Sequence, residues 1–161
     1  MIDFEHLLGA LAAGRVDFVI VGGVAATLHG SARLTADLDV VYERSSRNIS
    51  RMVNALAPLA PYLRGAPPGL PFRLDEATIM AGLNFTLTTM YGPLDLLGDI
   101  SGGLRYADLV ERSLVVALFG HRCRVIDLDT LIENKRAAGR PKDLEVIAEL
   151  EVIRQEREPE S

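Results

Sequence analysis

Apolar residues recur at helical spacing over residues 3–14, where Phe4, Leu7, Leu8, Leu11 and Ala12 share one side and Asp3 stands where an N-cap belongs. The period then changes. Phe18 to Val21 is an unbroken, largely β-branched run ending in Gly22-Gly23, the pattern of a buried strand that runs into a tight turn. A short helical stretch from Val24 to His29 closes on Gly30, and Leu38 to Tyr42 is again β-rich. From Ser46 to Leu63 the residues Ile49, Met52, Val53, Leu56 and Leu59 recur at three and four, which predicts a helix that Pro58 and Pro61 end or kink. Gly65 to Pro71 is Pro/Gly-rich and reads as a loop.

Two hairpins follow. Leu83 to Thr89 and Leu94 to Leu97 flank Tyr91-Gly92-Pro93, and Leu114 to Phe119 and Cys123 to Ile126 flank Gly120-His121. Asp127 or Asp129 caps a helix through Arg136 that breaks at Gly139-Arg140-Pro141, and a last helix runs from Lys142 to Arg154. This order predicts an α/β (α+β) fold with one central mixed β-sheet flanked by helices, a single domain over residues 1–155 and a flexible acidic tail over 156–161.

Composition narrows the class of protein. A chain of 161 residues with 48% hydrophobic and 24% charged residues is one ordinary domain with enough apolar matter for a core. The single cysteine, Cys123, excludes an internal disulfide and a multi-cysteine zinc site, and it fits a reducing compartment. The N-terminus has no basic region followed by an apolar run, and no apolar stretch approaches the ~20 residues of a bilayer span. The expectation is a cytoplasmic protein with no membrane partner. A formal net charge of −5 argues against a nucleic-acid coat, while leaving room for a local basic surface.

Candidate chemistry lies between Val19 and Val41. Gly22 and Gly23 let the backbone approach a ligand closely, and the helix start behind them turns N–H groups toward it, the makings of a phosphate seat. Downstream the chain reads Asp37-Leu38-Asp39-Val40-Val41. On a strand, residues two apart face the same way, so Asp37 and Asp39 project together while Leu38 and Val40 enter the core. Paired carboxylates repel unless a cation lies between them, and Mg²⁺ (or Mn²⁺) takes such hard oxygen ligands together with substrate phosphates. Asp95, alone among apolar neighbours in the first hairpin, supplies a third carboxylate for a two-metal in-line displacement at phosphorus.

These residues resemble the signature of the DNA polymerase beta-like nucleotidyltransferase superfamily, with Asp95 where its third metal-binding acid belongs. The stretch from Gly22 to Asp39 resembles more closely the pattern GGxAxxxHGxxRxTxDLD of minimal bacterial nucleotidyltransferases related to the AbiEii abortive-infection toxins, with Ala25, His29, Gly30, Arg33 and Thr35 in step. A later segment, Leu131-Ile132-Glu133-Asn134-Lys135-Arg136-Ala137-Ala138-Gly139-Arg140-Pro141-Lys142-Asp143, matches that group's L-I-x-x-K-x-x-x-G-R-x-K-D. The resemblance spans roughly residues 15–150. It implies a nucleotidyltransferase fold and transfer of a nucleoside monophosphate from an NTP, with pyrophosphate released. Asp37 and Asp39 would hold both metals, and Asp95 would bind the catalytic metal and help activate the acceptor hydroxyl. Gly22 and Gly23 would hold the β/γ-phosphates and Lys135 would be a phosphate contact.

Two departures stand out: Gly-Gly rather than Gly-Ser leaves no hydroxyl at the phosphate seat, and Val146 replaces an acid found in many relatives. Arg33 and Thr35 lie on the approach to the acids, where Arg33 meets either a nucleotide phosphate or Asp37. His29 reads as a helix-end residue, His6 and His121 as surface, and Cys123 as core. Gly139-Arg140-Pro141-Lys142 matches an AT-hook core, but its place between two helices marks it as a helix break. The acceptor implied by toxin–antitoxin relatives is a tRNA 3′ end or a protein hydroxyl, with a small molecule as a further option and a cognate toxin or antitoxin as partner. The competing reading is a non-catalytic, antitoxin-like partner-binding module on the same fold. A DNA-binding regulator is a third reading, opposed by the acidic net charge.

Overall fold

A computed structural model describes residues 2–158. Helix α1 (Phe4–Ala13) buries Leu7, Leu8 and Leu11 and is capped by Asp3, whose carboxylate accepts from the His6 N–H. Strand β1 (Phe18–Val21) is buried along its whole length and feeds directly into helix α2 (Gly22–Leu28). Strand β2 (Leu38–Tyr42) and helix α3 (Ser46–Leu56) follow, with Ser45 as the α3 cap.

Of the span Ser46 to Leu63, only Ser46–Leu56 is α-helix, and it ends ahead of Pro58, one of the two prolines expected to end or kink it. Pro58 lies in a 3₁₀ turn (Ala57–Leu59), and Ala60, which precedes Pro61, takes a left-handed backbone at φ 52°. Proline disfavours the helical region for the residue before it, so the chain reverses. Tyr62–Leu63 then forms an edge strand, β3, a correction to that helix. Helix α4 (Glu76–Ala81), capped by Asp75, was absent from the sequence pattern because it makes fewer than two turns.

Strands β4 (Phe85–Thr89) and β5 (Gly92–Leu97) form the first expected hairpin. A single-turn helix, α5 (Tyr106–Val110), precedes the second, β6 (Ser113–Leu118) and β7 (His121–Ile126). That turn has positive φ at both Phe119 (51°) and Gly120 (81°), the backbone of a tight two-residue hairpin. Helix α6 (Leu128–Ala138) is capped by Asp127 and stops at Gly139, left-handed at φ 63°. Helix α7 (Pro141–Arg157) reaches two residues into the segment read as an acidic tail, and residues 159–161 of that tail lie outside the described residues.

The seven strands form one mixed sheet in the order β3-β4-β5-β2-β1-β7-β6, as expected of a central mixed sheet with flanking helices. β1 is antiparallel to β2 and parallel to β7, and β2 is parallel to β5. With β2 and β7 on either side, β1 has no edge, which explains its lack of polar alternation. The core gathers β1, β2 and β5 with α1, α3 and α6, through residues such as Ile20, Leu38, Leu96, Leu11, Met52 and Leu131. Among the described residues, no helix is long and apolar enough to cross a membrane.

Candidate active site

Strand register builds the site. On β2 and β5, Leu38 opposes Leu94 and Val40 opposes Leu96, all four fully buried, so the residues between them face the other way together. Those residues are Asp39 and Asp95, direct partners in the ladder. Asp37, just ahead of β2, joins them, and one ligand oxygen from each acid lies within 4.8 Å of the others. On the other side Val21 opposes Asp39, which brings the β1–α2 turn against the same carboxylate.

That contact explains a glycine. Gly22 has φ +67°, and a Cβ added there would lie 2.1 Å from Asp39 Oδ2. Only glycine permits both the left-handed backbone and the carboxylate. Gly23 is closed off differently, since a Cβ there would meet Thr35 Oγ1 at 2.6 Å.

The acids carry the electrostatic mark of a cation site. Burial, then the facing Asp95 and Asp37 carboxylates, pushes Asp39 up to about 7, with Lys135 pulling the other way. Asp39 Oδ1 is buried and has no hydrogen-bond partner among the described residues. Three hard oxygen donors, two on paired strands and one just ahead of β2, with one oxygen orphaned among the described residues, fit a divalent ion with oxygen chemistry.

Six of the eight residues singled out in the sequence line two hollows that share Lys135, and Asp37 and Asp95 join them through Asp39. A cleft of about 460 Å³ is lined by Gly22, Asp39, Asn84, Asp99, Lys135 and Arg140, among others. A smaller hollow of about 150 Å³ is lined by Gly23, Arg33, Thr35, Lys135 and Val146. Lys135 is held by Asp143, its Nζ 3.7 Å from the carboxylate.

Asp143 is itself 1% exposed and receives the Arg140 backbone N–H and its guanidinium Nε, at 3.1 and 2.8 Å. Burial alone would raise the Asp143 pKa. Hydrogen bonds from Arg140 and the charges of Lys135 and Arg140 overcome this and hold it below its ordinary 3.8. The late motif thus reads as a device that fixes one lysine in the cleft and starts α7. Its ionised carboxylate stabilises the fold above pH ~4, and that contribution is lost as pH falls through the depressed value. Asp143→Asn is expected to cost up to about 3 kcal/mol at pH 7, the low end for a buried ion pair missing one partner, because the Arg140 side chain is half exposed. In melting curves the deficit should shrink toward pH 2.

Arg33 corrects one expectation. It does not meet Asp37 but pairs with Glu145 (3.3 Å) and Glu149 (3.8 Å) on α7. Glu149 also accepts from Ser31 Oγ and the Ala32 N–H, so α7 clamps the loop that leads to the acids. The cation beside Asp37 is instead Arg64, with Nη1 at 3.8 Å, while Nη2 bonds Asp95 at 2.6 Å. Sequence reasoning passed over Arg64, because a single arginine before a glycine-rich loop has no spacing signal. Asn84, Asp99 and Asn134 were missed as cleft residues too, although Asp99 follows Asp95 closely enough to have been noticed.

His29 is buried at the end of α2, as its helix-end reading requires. Its Nε2 lies 2.7 Å from the Ile126 carbonyl, and its Nδ1 lies 3.0 Å from the Arg157 guanidinium. The Nε2–H tautomer satisfies both, donating to the carbonyl and accepting from the arginine. Cys123 is buried in β7, as expected of a core residue.

No protein-family model matches the sequence, and no curated protein matches it either. Solved structures do. Lincosamide antibiotic adenylyltransferase LnuA, in its lincomycin-bound form, aligns with TM-score 0.61 at 13% identity, over 94% of this chain and 98% of its own. The chain has the nucleotidyltransferase fold. ANT(2″)-Ia in complex with adenylyl-2″-tobramycin shares that fold at TM-score 0.57 and 15% identity, over 94% and 92% of the two chains. A Thermotoga maritima protein assigned as a nucleotidyltransferase does so at TM-score 0.55 and 15% identity, over 92% and 94%.

Proposed function

We propose that the protein is a metal-dependent nucleotidyltransferase that moves a nucleoside monophosphate from an NTP to an acceptor hydroxyl. The observation that carries this reading is the meeting of Asp39 and Asp95 on paired strands with Asp37 just ahead of them, against the Gly22 turn and beside a cleft reached by Lys135. In the reaction the acceptor oxygen bonds to the α-phosphorus, the bond from that phosphorus to the bridging oxygen breaks, and pyrophosphate leaves. Asp37 and Asp39 would hold the divalent ions, Mg²⁺ or Mn²⁺, with Asp95. When bound, the ions would neutralise phosphate charge and lower the pKa of the acceptor hydroxyl. Asp95, which the β5 register sets beside Asp39, would receive the acceptor proton. The Gly22–Gly23 backbone and Lys135 would cradle the β- and γ-phosphates, and Arg33 and Thr35 would border the nucleotide from the 31–35 loop.

The acceptor is the finer question. LnuA and ANT(2″)-Ia support a small-molecule hydroxyl, since both are antibiotic-related transferases of this fold. The motif resemblance to toxin–antitoxin nucleotidyltransferases supports a tRNA end or a partner protein instead. The motifs from Gly22 to Asp39 and from Leu131 to Asp143 favour the second class, with a cognate toxin or antitoxin protein as partner. One experiment separates them. The protein, Mg²⁺ and each α-labelled NTP are incubated with total RNA, with lysate protein, or with a pool of small hydroxyl compounds. Label is expected on the RNA or protein fraction. Label on the small molecules alone would remove the toxin–antitoxin reading, and label in no fraction would count against the enzyme.

A further inference from the structure

One row of residues crosses four strands on the site's face. The Arg64 N–H donates to the Thr86 carbonyl at 3.0 Å, continuing the β3–β4 ladder by one residue. Thr86 opposes Asp95, and Asp95 opposes Asp39. Arg64 is therefore delivered to the acids by register, as they are to one another. Its Nη2 donates to both Asp95 Oδ1 (2.6 Å) and the Leu87 carbonyl (2.7 Å), and its Nη1 lies 3.8 Å from Asp37 Oδ2. It does not relieve Asp39, whose Oδ1 has no partner among the described residues, and its own buried Nε has no acceptor among them.

We propose that Arg64 is a resident counter-cation that a divalent ion must displace from Asp95, so that the site loads its ions in order. The inference rests on the metal reading above. Asp39 offers a free oxygen at once, whereas Asp95 and Asp37 are shared with a fixed positive charge. A guanidinium does not deprotonate at any working pH, so only movement removes it. The chain permits that movement. Arg64 is the last residue of its ladder and its side chain is 29% exposed. Gly65 beyond it has φ +81° with nothing within 4 Å of an added Cβ. Arg64 is thus a positioning residue, holding the third carboxylate in place while the site is empty.

The test reads metal binding alone. Free Mn²⁺ is counted by electron paramagnetic resonance in titrations of wild type, Arg64→Met and Arg64→Lys, with no nucleotide present. Removing one positive charge a few ångströms from the site is expected to tighten Mn²⁺ on the order of tenfold in Arg64→Met. Arg64→Lys, which keeps the charge, should stay near wild type. Equal affinity in wild type and Arg64→Met would overturn the inference and leave the acid site standing. No binding to either would overturn both. Should Arg64→Met fail to fold, wild type decides by nitrogen-15 resonance of the Arg64 Nε. That signal is assigned by its absence from Arg64→Lys, and it should shift on saturation with Mg²⁺. An unmoved signal would overturn the inference.

Discussion

Asp39→Asn is expected to lower nucleotidyl transfer by about 10²–10³-fold at saturating Mg²⁺, the scale on which a preorganised electrostatic group acts on a developing charge. The substitution keeps size and hydrogen-bonding capacity and removes one negative charge from the acid that lies between the Gly22 turn and Asp95. Stability without metal should move the other way. With Asp39 at about 7 when folded and 3.8 when unfolded, the folded protein retains a proton between those values that the unfolded chain has released. Stability from this group is therefore undiminished below about pH 4 and falls as pH rises toward 7. Asparagine has no such burden. The variant should melt a few degrees above metal-free wild type at pH 8, on the order of 1–3 kcal/mol, and level with it at pH 4. A structural carboxylate gives the reverse pair of results: unchanged transfer and a lowered melting point.

Gly22→Ala should damage both fold and activity. A left-handed backbone costs a non-glycine residue about 1–2 kcal/mol, and here the new methyl also enters the Asp39 carboxylate. Gly120→Ala is the matched control, with φ +81° and open space around the added Cβ. Both variants should lose the backbone share, a melting drop of roughly 3–6 °C. Only Gly22→Ala should lose more than that, and only it should transfer slowly, because its methyl turns Asp39 away from its partners. Equal losses in the two would show that the close approach of Gly22 to the acid has no functional weight.

Much of this site was legible in the chain because it is built from short-range pattern. The run Phe18 to Val21 could only be a central strand, the two-residue period fixed Asp37 and Asp39 on one side, and Leu94 and Leu96 did the same for Asp95. Gly22 was legible as a turn, but not as the residue that makes room for Asp39. What the sequence did not carry was register between distant strands. Arg64 meets Asp95 only because β3 pairs with β4 and β4 with β5, and the pattern had placed Tyr62 and Leu63 in a helix. The Asp37 alternative for Arg33 failed for a related reason: its ion-pair partners, Glu145 and Glu149, lie on α7, more than a hundred positions away. Helices α4 and α5, of six and five residues, are too short to show a period.

Calorimetric titration of wild type and of an Asp37→Asn/Asp39→Asn variant with each NTP, in Mg²⁺ and again in EDTA, tests the central claim without needing the acceptor. Wild type is expected to bind nucleotide with Mg²⁺ and to lose most of that affinity in EDTA, and the folded variant is expected to show the weak affinity under both conditions. Nucleotide binding that ignores both the metal and the two aspartates, or no binding by wild type at millimolar NTP, would contradict it.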